Sequence, residues 1–99
     1  MSLGESIKEQ RIAIVTTLQF IRRGEFDTTL EIADILIDHP HDLIHKAVGW
    51  MLREVGKRDH SVLKSYLAAR YRRMPRTMLR YAIEKFPEAA RQAYLRGEK

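Results

Sequence analysis

The chain contains no cysteine. Disulfides, thiol catalysis and thiolate metal sites are therefore excluded, which suits a cytoplasmic protein. No apolar run approaches the ~18 residues that a membrane span needs. The start lacks the cationic, apolar, small-residue order of a secretory signal, and residues 1–5 read as a tag-like or disordered leader. Three prolines and five glycines in 99 residues leave no Pro/Gly-rich linker, and no segment is of low complexity. β-branched runs are short and neither Asn-Gly nor Asp-Gly occurs, so nothing supports β-hairpins.

What is present describes one small helical domain over residues 1–99. Apolar residues make up 44% and charged residues 31%, the balance of a globular chain able to bury roughly 60–65% of its unfolded surface. The formal charge of +5 favours a polyanionic partner, although a basic balance alone is a weak signal. Apolar residues recur at three and four, the helical spacing. Ser6 and Glu9 form a Ser-x-x-Glu capping box opening a first helix to about Arg23. Gly24-Glu25-Phe26 breaks it, and Asp27 or Thr28 caps a second helix to about Asp38. Pro40 marks a turn, a third helix runs from about His41 to Lys57, and Asp59 or Ser61 caps a fourth reaching about Tyr71. A short fifth helix follows Met74-Pro75 and ends at Phe86-Pro87, and a sixth spans Pro87 to Arg96. The fold class is thus all-α, about six helices in three antiparallel pairs.

Three echoes suggest a repeat. Ala13-Ile14, Ala47-Val48 and Ala82-Ile83 stand 34 and then 35 residues apart, a period that fits a HEAT-like α-solenoid fragment. Chance likeness among amphipathic helices is the competing explanation.

The stretch "KAVGWMLREVGKRD" holds the only tryptophan. At about 100° per residue, Ile44, Val48, Met51, Leu52 and Val55 form one stripe, the core face. Lys46, Trp50, Arg53 and Lys57 fall in a narrow sector nearly opposite, with Gly49 beside it allowing a backbone or ligand to approach. Two readings follow: Trp50 packs under the next repeat beneath lysine stems, or it belongs to a basic aromatic surface for nucleic acid. The first helix is apolar on nearly every side, and Arg11 projects among those residues. A guanidinium there needs either a carboxylate such as Glu54 or a nucleic-acid phosphate. A second basic cluster, Arg70, Arg72, Arg73, Arg76 and Arg80, is interleaved with Tyr71 and Tyr81. His39, His41, Asp42 and His45 raise a metal question, but no cysteine or second ligand pair completes a tetrahedral set. The turn reads as a cap, with no metal and no cofactor expected.

The run from "QRIAIVTTLQFIRRGEF" through "HDLIHKAVGWMLRE" to "MPRTMLRYAIEKFP" resembles the C-terminal half of the DNA alkylation repair enzyme family, over about residues 7 to 95. Those proteins are HEAT-like-repeat glycosylases that remove alkylated purines. The resemblance implies that Trp50 lines a concave DNA-binding cleft, that Arg11 holds the DNA backbone near a lesion, and that Arg53 matches the motif's own arginine. With it, contact with the DNA backbone becomes the better reading of the second cluster, Arg76 and Arg80 being the residues assigned to it. The family's Trp-Asp-x-Val-Asp-like segment, whose aspartate assists glycosidic scission, has no counterpart here. The expectation is a DNA-engaging piece or minimal relative with weak or no base excision. The first two helices should expose an apolar face and self-associate or bind a missing N-terminal half. The alternative is a non-catalytic interaction scaffold.

Overall fold

The computed structural model describes residues 6–97, so the expectation for residues 1–5 lies outside it. All regular structure among the described residues is helical: α1 Ile7–Thr16, α2 Leu18–Arg22, α3 Asp27–Leu36, α4 Asp42–Arg58, α5 His60–Ala68, α6 Arg76–Ala82 and α7 Glu88–Arg96. The expected first helix is present but interrupted. Thr17 is buried, and both its hydroxyl (2.6 Å) and its N–H (3.2 Å) donate to the Ile14 carbonyl. That side-chain bond competes with the helical ladder and bends the chain into α2.

Helix ends follow local chemistry. The Ser6 hydroxyl accepts the Glu9 amide at 3.0 Å. The Asp59 carboxylate accepts the Ser61 and Val62 amides, and chiefly the Ser61 hydroxyl holds it below its ordinary pKa. The α3 cap departs from expectation: Phe26 occupies the position without a side-chain bond, and Asp27 is the first helical residue, where its charge favours the helix dipole. The fourth helix stops at Ala68 rather than near Tyr71, because residues 69–73 close into tight turns ahead of Pro75. At His39-Pro40-His41, Nδ1 of His39 accepts the His41 amide and Nδ1 of His41 accepts the Leu43 amide.

Helix α4 is the hub, packing against α1, α2, α3, α5 and α6. Its stripe of Ile44, Val48, Met51, Leu52 and Val55 is fully buried. Each such side chain contributes about 1.5–3 kcal/mol relative to exposure. Gly49 sets how closely α6 can lie on it. A Cβ there would fall 2.6 Å from the Met78 carbonyl oxygen and 2.6 Å from Tyr81 Cβ. Backbone, not ligand, exploits this glycine. The three repeat echoes converge on the core, with Ile14, Val48 and Ile83 all completely buried. The molecule measures 37 × 30 × 18 Å, and its thin dimension suits two helix layers with axes ~8–10 Å apart.

Two side-chain clusters fix the periphery. Arg70 forks onto Asp34, Nε to Oδ1 at 2.6 Å and Nη2 to Oδ2 at 3.1 Å, clasping the end of α5 to α3. Tyr66 donates to the same Oδ1 at 3.0 Å beneath the guanidinium, and burial, then the Asp34 charge, push its pKa above the usual tyrosine range. At the other end Tyr71, Phe86 and Tyr94 meet edge to face, with centroids 5.3 and 5.6 Å apart, holding α7. No described helix is long and apolar enough to cross a membrane.

Candidate nucleic-acid interface

Because α4 buries one stripe, its opposite sector faces out. Trp50 is 38% exposed, which excludes a ring sealed in the interior. It lines an open cavity of about 210 Å³ with Arg11 and Val15 from α1, Leu43, Lys46, Ala47 and Arg53 from α4, and Tyr81 from α6. Three cations and two aromatic rings therefore share one concavity, and no carboxylate lines it. The Trp50 and Tyr81 rings both line this cavity.

The cations differ in how they are held. Arg11 is exposed and has no hydrogen bond or ion pair among the described residues. The carboxylate weighed as its partner, Glu54, instead pairs with Lys57 at 3.1 Å. Lys46 reaches Asp42 at 3.5 Å across one helical turn, an exposed pair worth about 0.3–0.5 kcal/mol. Arg53 is the most enclosed, its side chain 20% exposed, and it is ion-paired to Glu84 in the turn after α6. Its Nε is buried without a partner. A buried N–H lacking an acceptor is costly, and here it sits at the edge of a basic concavity.

Four of the expected residues thus come together: Arg11, Lys46, Trp50 and Arg53. Lys57 does not join them. It lines a neighbouring depression with Leu18, Ile21, Arg22, Glu54 and Arg58. The second basic cluster is dispersed. Arg70 is committed to Asp34, Arg72 donates to the Tyr71 hydroxyl at 3.1 Å, and Arg76 donates to the Leu95 carbonyl. Arg80 is exposed with no partner among the described residues. Tyr81 belongs to the Trp50 concavity instead, and the clue in the sequence was Gly49, whose missing side chain makes room for α6.

An all-α domain with cations around two exposed aromatic rings is suited to an anionic, ring-bearing partner. A family model described as DNA alkylation repair enzyme matches residues 3–86. The chain belongs to that family, and membership ties it to DNA repair. Comparisons with curated proteins and with solved structures gave no match.

Proposed function

We propose that this domain engages duplex DNA through the Trp50 concavity as the DNA-binding part of an alkylation-repair glycosylase-like protein, without excising bases by itself. One observation carries the reading: Arg11, Lys46 and Arg53 converge on the cavity that exposes Trp50 and Tyr81. Cations there meet phosphates, which position the duplex without reading its sequence, and the indole meets sugar or base. Scission of a cationic alkylpurine needs an anionic group to stabilise the developing sugar cation or orient water. The cavity offers none. The helix pairs are read as HEAT-like on the converging echoes and the two-layer thickness.

The test is fluorescence anisotropy with labelled duplex, unmodified and methylated. Three phosphate contacts give a salt slope of about −2.7, so affinity should fall at least roughly 40-fold between about 50 and 200 mM salt. Trp50→Ala should weaken binding about tenfold, and base release should stay at background. Affinity indifferent to salt would overturn the reading.

A second reading, a scaffold that self-associates through α1 and α3, draws on a separate observation. Ile7, Ile12 and Ile35 are 36%, 52% and 55% exposed.

A further inference from the structure

We infer that the Trp50 concavity is one end of a longer phosphate track, continued by Arg22 and Arg58. This rests on the duplex-DNA reading and extends it to residues outside that cavity. The Trp50 cavity pairs Arg11 and Val15 with Lys46, Trp50 and Arg53, while the next depression pairs Leu18, Ile21 and Arg22 with Glu54, Lys57 and Arg58. Residue numbers rise together on both walls, so α1–α2 and α4 run side by side in the same direction. Val15 and Leu18 flank the Thr17 break between α1 and α2, and Arg53 adjoins Glu54 within α4. The two depressions are therefore successive lengths of one interhelical groove.

At 1.5 Å per residue, Lys46 to Arg58 along α4 spans about 18 Å. That length matches about five base pairs at ~3.4 Å each. The groove holds Arg11, Lys46, Arg53, Lys57, Arg22 and Arg58 against a single lining carboxylate, Glu54, already paired with Lys57. Arg22 is exposed and has no partner among the described residues. Arg58 donates through Nε to the Ile21 carbonyl at 3.4 Å, which draws its guanidinium across the groove toward α2. Neighbouring Arg23, by contrast, is committed to Glu25 at 3.3 Å and lies over the Phe20 ring.

The test is the salt slope of duplex binding, measured by anisotropy on the full chain. Arg22→Gln should lower the slope by about one, and Arg22→Gln with Arg58→Gln by about two. Lys64→Gln, an exposed lysine on α5 lining neither depression, should leave it unchanged. Quenching of Trp50 fluorescence at saturating duplex should persist in all three variants, because the aromatic end stays occupied. A wild-type slope in the double variant, or an equal drop in Lys64→Gln, would overturn the track while leaving the Trp50 site standing. Absence of duplex binding by the wild type would sink the DNA reading itself. The single Arg22→Gln variant, altering an exposed and unpartnered side chain, separates lost contact from lost fold.

Discussion

Arg53 and Glu84 show how a basic site is held before its partner arrives. The guanidinium is mostly enclosed and its partner carboxylate is half exposed, so an incoming phosphate must compete with Glu84 for the same donors. Glu84→Gln keeps the shape and removes the charge. A partly exposed ion pair is worth up to about 1 kcal/mol, so duplex affinity at low salt should tighten by up to about fivefold, read by anisotropy. Unchanged or weaker affinity would mean that Arg53 never leaves Glu84 for DNA. Helical arithmetic places Arg53 and Trp50 on the outer face of α4, because faces repeat within a few residues. It gives no access to Glu84 or Tyr81, which arrive from another helix pair. Sequence proximity groups Tyr81 with the arginines, and only the packing of α6 on α4 brings it to the Trp50 cavity.

At the level of elements, Gly49 couples the core to the site. A glycine inside a helix ordinarily costs up to about 1 kcal/mol against alanine, so Gly49→Ala would be stabilising if the position were open. It is not, since the new Cβ meets backbone on α6. We expect a loss of about 1–3 kcal/mol from overpacking, lowering the melting temperature by roughly 4–8 °C for each kcal/mol, followed by circular dichroism. Gly56→Ala is the comparison, because its nearest contact is the end of the Leu63 side chain, which can shift more cheaply. A Gly49→Ala chain as stable as the wild type would mean that α6 does not rest on α4 as closely as described. The elements themselves were largely legible, because periodicity, Ser6, Asp59 and Pro87 signal helix faces and ends locally. The interruption at Thr17 was not. A mid-helix threonine reads as helix until burial forces its hydroxyl onto the preceding carbonyl.

For the whole molecule, the question is which surface stays bare once α4 has gathered its neighbours. Sequence pattern marked α1 as apolar on nearly every side, but not which of those sides would be covered. Ile14 and Ile21 went into the core, whereas Ile12 on α1 and Ile35 on α3 stayed more than half exposed. Since α1 and α3 pack on one another, a second copy could cover both. A stable interface buries about 1,200–2,000 Å² in total, far more than a few half-exposed isoleucines provide, so any association should be weak. We expect sedimentation equilibrium to show mass rising with concentration over tens of micromolar, and Ile12→Glu with Ile35→Glu to restore the monomer. Salt separates this face from the groove. Apolar contact is not screened, whereas phosphate contact weakens steeply as salt rises. Association that persists at high salt in the wild type, but not in the double glutamate variant, would belong to this face. A chain that stays monomeric at every concentration would leave these isoleucines as ordinary exposed apolar residues and remove the scaffold reading.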